Sequence, residues 1–489
     1  MGNPIGGSES IVSHVDFLRN EAGDSLARTM ALLLHAPLLT ILTAFVTTRV
    51  GRSRSWIRVG IEFGLFTCPM MFLMTSLSEH VIISSLMLSF LVLSVSFLHY
   101  EEAKSSGSSL SKENDAPTEK EHEKIELLYI SWFKGAVVCV TSIAILAVDF
   151  QVFPRTSAKT DKFGVSFMDL GASLFVISSA LTSAWSRDGN YGTANARHRK
   201  GSPKKRWMIL ALGFSRLVAV KLLEYPEIVD EYGVHWNFFM TLAGLWFLCD
   251  VLHRLIVSPL FIVTVACGIV VSYQWVLLNT ELSLFILEAQ RDTGFFAANR
   301  EGIIAMMVGY FPMHLLVELF SREFIFVVIG KSRRKYPPKK AEIGDRPLLI
   351  SLLLLTGVLW TMWYFSHRFI QITSRRLMNT AFVMFALASA ASILASFNAA
   401  KVLLSFCLKD PGDAILATGG YLQVANEFSL ELFLLANLCT GGVNMTWSAH
   451  QMDDYSACTL LLCYCGILHL PCGVFRSTQS SAVMNTVHS

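Results

Sequence analysis

The stretch AILAVDFQVFPR at 144–155, followed by AKTDKFGVSFMDLG at 158–171, decides how the chain is read. It opens as the end of one long apolar run, 128–149, and closes as the start of another, 166–186. Asp149, Arg155, Lys159 and Asp169 stand where the apolar residues give way. Runs of this length match the roughly 20 apolar residues a helix needs to cross a bilayer core about 30 Å thick. Hydrocarbon offers no hydrogen-bond partner, so the backbone must satisfy itself within helices. Charge at such a boundary is costly, and its placement is therefore informative.

Outward from this stretch the same pattern recurs near 27–48, 57–77, 81–100, 207–225, 235–252, 256–278, 302–320, 348–367, 379–400, 430–446 and 457–475. The expected fold is all-α, a polytopic transmembrane helical bundle of about thirteen helices, with 1–489 forming one multi-pass domain whose motifs lie in about 128–446. Composition agrees: 53% of the residues are hydrophobic and only 16% charged, with a mean hydropathy of +0.49. A soluble domain has about 25% charged residues. The polar start, with Asp16, Arg19, Glu21 and Asp24, shows no cleavable signal. Ten cysteines, mostly inside apolar runs and without paired metal-site spacing, read as small core residues. Walker A, dinucleotide-binding and zinc-protease motifs are absent.

Lysine and arginine concentrate at 49–58, 187–206 and 331–346, which the positive-inside rule places in the cytoplasm. That sets the N-terminus in the lumen and the C-terminus in the cytoplasm. The mixed-charge segment 101–127, with SSGSSLSKENDAP, reads as a flexible cytoplasmic loop. The lumenal face then receives 149–169, EYPEIVDEYGVHW, RDTGFFAANRE and SHRFIQITSRR. Arg368, Arg375 and Arg376 break the charge rule there and are candidates to bind an anion.

Asp149 has a single methylene and cannot snorkel far, so its carboxylate is a candidate general base at the membrane edge. Lys159, ten residues on, can pair with it or offer a cation to an oxyanion; a salt bridge pinning the loop is the plain alternative. Arg216 and Lys221 sit in the 207–225 run and Lys134 in the 128–149 run. They either snorkel or meet an anionic substrate group. His235, flanked by Trp236 and Asn237, is a candidate base or a packing residue. Asn299, Arg300 and Glu301 open the 302–320 helix and either receive an anion or cap it. Asn437 and Asn444, seven residues apart, share a helix face and either bind polyol hydroxyls or bond neighbouring helices. Asn444-Met445-Thr446 also matches the glycosylation pattern, with a buried structural role as the alternative.

Taken together, AILAVDFQVFPR with AKTDKFGVSFMDLG, LEYPEIVDEYGVHWNFFMTL, FFAANREGI, SRRLMN and ELFLLANLCTGGVNM resemble the glucosaminyl-phosphatidylinositol inositol acyltransferases of glycosylphosphatidylinositol (GPI) anchor biosynthesis. The first three helices and the cytoplasmic loops carry little of the likeness, and Phe167 and Lys134 depart from the family pattern. The resemblance implies an endoplasmic reticulum membrane enzyme moving a fatty acyl group, typically palmitoyl from palmitoyl-CoA, to the inositol 2-hydroxyl. It makes Asp149 and Lys159 the catalytic pair, with Arg155 helping to position the reacting group. Arg216, Lys221, Arg300 and Arg375 would meet the phosphates; Glu227, Glu231, Tyr232 or Trp236 would meet the glucosamine ammonium. His235, Asn237, Asn299, Asn437, Asn444 and Asp169 complete the substrate-binding set, with capping the alternative for Asp169. Acyl-CoA enters as co-substrate; no tightly bound cofactor and no metal is required. The expected partners are the glycolipid, acyl-CoA and membrane lipids, and no nucleic acid. Two other readings are a multi-pass lipid or solute transporter and a membrane O-acyltransferase using His235 as base.

Overall fold

The computed structural model describes residues 17, 23–50, 55–105, 127–183, 185–186, 203–222, 229–255, 258–291, 294–326, 345–408 and 420–469. Glu227, most of the 101–127 loop and most of the basic segments 187–206 and 331–346 lie outside the described residues. Among the described residues there are helices, turns and no strands.

Among the described residues, eight helices are long and apolar enough to cross a bilayer, or up to nine if the bent pair Gly420–Glu427 and Ser429–Thr446 is one span. Charge and length separate this number from the thirteen expected. Pro203–Leu222 carries Lys204, Lys205, Arg206, Arg216 and Lys221, and Phe238–Leu255 carries Asp250 and Arg254. Met168–Leu181 is short, and of the expected run 457–475 only 457–469 is described. The bent pair turns through 89° at Phe428, and its first arm falls outside the expected apolar runs.

The chain folds as two interleaved units, 1–23 with 159–331 and 354–390, and 24–158 with 332–353 and 391–489. The divisions fall after Ala158 and within the helices Arg346–Ile370 and Thr380–Cys407.

In the unit containing Asp149, Leu26–Thr48 starts on Ser25, whose hydroxyl accepts from the Arg28 amide. It ends where the Arg58 guanidinium donates to the carbonyls of Thr47 and Val50, satisfying acceptors a helix C-terminus leaves free. Leu128–Ala147 is the buried centre of this unit, packed against both Gly420–Glu427 and Ser429–Thr446. Gly135 makes that approach possible, because a Cβ there would overlap the Leu422 carbonyl. Ser78–Glu102 is only 17% buried, and Leu86, Met87, Phe90 and Leu93 point outward. A greasy, exposed helix face suits lipid rather than water.

In the other unit, Phe311–Phe320 packs on Gly171–Leu181 and on Pro259–Asn279, while Pro203–Leu222 packs on Phe238–Leu255. Pro312 removes one helical hydrogen bond, and the chain widens into a π-type turn, Ala305–Tyr310, just before it. Tyr273, Leu277, Ile286, Ile304 and Leu377 form an apolar floor. The polar loops of this unit are built next to it.

Candidate functional site

The unit containing Lys159 gathers four distant segments, 159–169, 229–237, 291–301 and 371–379, into one charged cluster. Lys159 Nζ donates to Glu231 Oε2 at 2.6 Å. Arg375 Nε donates to Asp169 Oδ1 at 3.0 Å, and Thr160 gives Asp169 both its amide (3.0 Å) and its hydroxyl (2.9 Å). Burial alone would raise the Glu231 carboxyl, but Lys159, Arg375 and Arg216 outweigh it and hold it below the ordinary carboxylate range. Burial works against the Arg375 charge too, yet Asp169 and Glu231 hold its guanidinium above its usual value. Lys159, Arg375 and Arg216 thus bear on Glu231, and Arg375 is shared with Asp169.

A second layer pins the first. Arg291 donates to Glu301 Oε1 and Oε2 at 2.7 and 2.9 Å and to Asp230 Oδ1 at 2.7 Å. Arg376 lies 3.3 Å from Glu301 and 3.5 Å from Asp161. Asp230 and Glu231 thus tie one short turn, Val229–Tyr232, to two different cation sets. Gly233, at φ +118°, and Gly302 let this turn lie directly on the 295–302 segment. A Cβ on Gly233 would overlap the Asn299 backbone, and one on Gly302 would overlap the Trp236 ring. The 371–379 loop closes on Asn379, whose Oδ1 accepts from the amides of Ser374 and Phe382 and so starts Thr380–Cys407. Met378 is held at φ 50° against Gly309.

The other sequence candidates of this unit are placed as follows. Arg300 is 1% exposed, donates to the carbonyls of Ile286, Ala289, Gln290 and Ala297, and lies over the Phe285 ring. Its guanidinium organises the loop from within. Asn299 accepts from the His235 amide and donates to the Phe295 carbonyl. Asn237 caps Phe238–Leu255 through the amides of Phe239 and Met240 and donates to the Gly213 carbonyl. Trp236 Nε1 donates to Thr241 Oγ1. The His235 side chain is exposed, as are Arg216 and Lys221 on Pro203–Leu222.

Asp149 belongs to the other unit. It follows the C-terminus of Leu128–Ala147, is 6% exposed, and accepts from Asn444 Nδ2 at 2.8 Å. Asn444 thus joins the last turn of Ser429–Thr446 to the end of Leu128–Ala147. Asn437, two turns earlier, donates to the Phe433 carbonyl of its own helix. Arg155 wraps its loop by donating to the carbonyls of Val148, Phe150 and Phe153. Burial pushes its guanidinium down to about 10, against the upward pull of Asp149. Asp149 and Lys159 therefore each have a polar partner within their own unit, Asn444 and Glu231.

Sequence reasoning passed over Thr160, Asp161, Asp230, Arg291 and Tyr310, the last a buried phenol near enough to feel the charges of Arg375, Glu231 and Asp169. Two adjacent acids in EYPEIVDEYG and two adjacent arginines in SRRLMN were the available signal. Paired charges of both signs on one membrane face must find each other, because neither is stable unpaired near hydrocarbon. Thr160 and Tyr310 carry no such mark.

Comparison with known proteins bears on the whole chain. The family model described as GWT1 matches residues 12–475. GPI-anchored wall transfer protein 1 of Aspergillus oryzae is 29% identical, covering 92% of this chain and 95% of its own length. The protein of the same name from Gibberella zeae is 30% identical over 93% of this chain and 94% of its own. An uncharacterized protein of Arabidopsis thaliana is 31% identical over 89% of this chain and 88% of its own. An all-α multi-pass membrane fold and a family match running from residue 12 to residue 475 lead to one placement: the chain belongs to the GWT1 family.

Proposed function

We propose that this protein transfers a fatty acyl group, palmitoyl from its coenzyme A thioester, to the inositol 2-hydroxyl of glucosaminyl-phosphatidylinositol in the endoplasmic reticulum membrane. Family membership over residues 12–475 carries this reading, and it supports a role in GPI-anchor biosynthesis by inositol acylation. The N-terminus lies in the lumen and the C-terminus in the cytoplasm, on the lysine and arginine distribution.

The inositol oxygen attacks the thioester carbonyl carbon, and Asp149 accepts the hydroxyl proton. Asn444, donating to Oδ2 of that carboxylate, fixes its orientation. Lys159 offers its ammonium to the tetrahedral oxyanion. Glu231 holds that ammonium in place, and Arg375 and Arg216 flank the same carboxylate. Those two cations suit phosphate, the group both substrates carry. Collapse of the intermediate breaks the carbon–sulfur bond, and the coenzyme A thiolate leaves and is protonated. Asp149 returns its proton to solvent. No covalent acyl-enzyme is needed.

Asp149→Asn and Lys159→Ala are expected to leave the protein inserted and monodisperse in detergent while acyl transfer from labelled palmitoyl-CoA falls to background. Near wild-type turnover in both variants removes the pair from the mechanism. Loss of activity in His235→Ala with retention in Asp149→Asn transfers the base to His235.

A further inference from the structure

Away from the charged cluster, the unit containing Lys159 buries a second set of polar side chains that the proposed acyl transfer does not use. Cys249 and His253 lie one turn apart on Phe238–Leu255, and His314 and Glu318 lie one turn apart on Phe311–Phe320. Residues four apart on a helix share a face, so each helix presents a pair of metal-ligating groups to the other. Glu318 Oε2 is 3.1 Å from His253 Nε2, and Glu318 Oε1 is 3.3 Å from His314 Nε2. The Cys249 sulfur, a His314 ring nitrogen and a Glu318 oxygen all lie within 4.8 Å of one another. Cys249, His314 and Glu318 are 4%, 2% and 2% exposed.

We propose that Cys249, His314 and Glu318 bind one zinc ion that pins these two helices together, with His253 held beside the site by its 3.1 Å approach to Glu318. The separations suit it: donors at about 2.0–2.3 Å from a tetrahedral ion stand on the order of 3.3–3.7 Å apart, and these three lie within 4.8 Å of one another. Although His253 Nε2 and Glu318 Oε2 are close, both are buried and neither has a hydrogen-bond partner among the described residues. A buried carboxylate oxygen and a buried ring nitrogen left so are each expensive.

The surroundings hold the ligands as an outer shell would. Ser179 Oγ lies 3.4 Å from His314 Nδ1, leaving Nε2 to face Glu318. The His253 ring is stacked on Trp185 at 4.9 Å, and the Arg322 guanidinium covers Trp185 at 4.4 Å. The donor set selects the metal. One thiolate, one imidazole and one carboxylate suit a borderline divalent ion and exclude the all-oxygen sites of magnesium and calcium. The ion joins Phe238–Leu255 to Phe311–Phe320 through buried side chains, which gives it a structural role. It stands apart from the acyl-transfer reading, since it involves neither Asp149 nor Lys159.

The test uses the untagged full-length chain purified in detergent, with metal content measured by plasma mass spectrometry. About one zinc per chain is expected, falling at least tenfold in the His314→Ala/Glu318→Ala double variant. After chelation, the wild-type chain is expected to take up one cobalt(II), giving visible d–d bands and a near-ultraviolet thiolate charge-transfer band. Cys249→Ser is expected to lose the charge-transfer band while keeping the d–d bands. A wild-type chain that carries no zinc and takes up no cobalt overturns the proposal, and so does zinc retained in full by the double variant. The first of these needs no variant to fold and does not depend on activity.

Discussion

Asp169→Ala is the sharpest test of how the charged cluster holds together. The Asp169 side chain is 1% exposed and accepts three hydrogen bonds, from Arg375 Nε and from the amide and hydroxyl of Thr160. Each such bond to a charged group is worth about 1.5–3 kcal/mol alone, but they converge on one carboxylate and do not add. Removing the acid also strands the Arg375 charge, whose side chain is only 14% exposed. Breaking one side of a buried pair costs about 3–5 kcal/mol. At roughly 2–4 °C per kcal/mol, the melting midpoint in detergent is expected to fall by about 6–20 °C. Asp169→Asn, which keeps an acceptor for Thr160, is expected to fall less. The decisive comparison is the double variant Asp169→Ala/Arg375→Ala, whose loss is expected to be smaller than the sum of the two single losses by about 1–3 kcal/mol. A melt of Asp169→Ala within about 2 °C of wild type, or strict additivity of the two substitutions, refutes the account of this pair.

Three further outcomes follow from the same structure. The Glu231 carboxyl is depressed by Lys159, Arg375 and Arg216, so its contribution is present above the unfolded value of about 4.3 and is lost as pH falls through the lower folded value. The melting midpoint is expected to be flat from about pH 7 to 5 and to drop below about pH 4, with a shallower drop in Glu231→Gln; an equal drop in that variant contradicts the assignment. Asn444→Ala is expected to lower kcat more than KM and to move the acid limb of the kcat profile, because it removes a donor from the Asp149 carboxylate; a pure stability loss with an unmoved profile makes the contact structural only. Gly135→Ala places a Cβ on the Leu422 carbonyl and is expected to lower the yield of monodisperse protein severalfold, consistent with about 1–3 kcal/mol for overpacking; a normal yield and melt show that the two helices separate easily.

Much of the architecture was legible because apolar run length is a one-dimensional signal, and 27–48, 81–100, 128–149 and 379–400 each correspond to a long helix. Where charge interrupts the run the signal fails. Arg216 and Lys221 on Pro203–Leu222, and Asp250 on Phe238–Leu255, sit inside stretches read as spans, and those helices are not among the eight. The Gly420–Glu427 arm, eight residues long, was invisible to any window of bilayer length. At the candidate site, residue types at the membrane edge pointed to Asp149, Lys159, Asp169 and Arg375, since unpaired charge there is unstable. Their partners were not legible. Asn444 and Asp149 are 295 positions apart, Arg375 and Asp169 206, and no periodicity connects residues whose proximity arises only from helix packing. The sequence spacing of Lys159 suggested a return to Asp149, whereas its ammonium meets Glu231, 72 residues on. Arg300 and Arg155 show the reverse case, in which a guanidinium that reads as a phosphate ligand is bonded to backbone carbonyls of its own loop.

The central claim is acyl transfer to inositol, and the most direct measurement is incubation of the purified chain with labelled palmitoyl-CoA and glucosaminyl-phosphatidylinositol in micelles, followed by separation of the lipids. The expected result is a labelled glycolipid, released as free palmitate by alkaline hydrolysis, together with an equivalent of free coenzyme A thiol, and none of these with Asp149→Asn. Unlabelled glycolipid recovered intact while both substrates remain bound and unchanged would contradict the account.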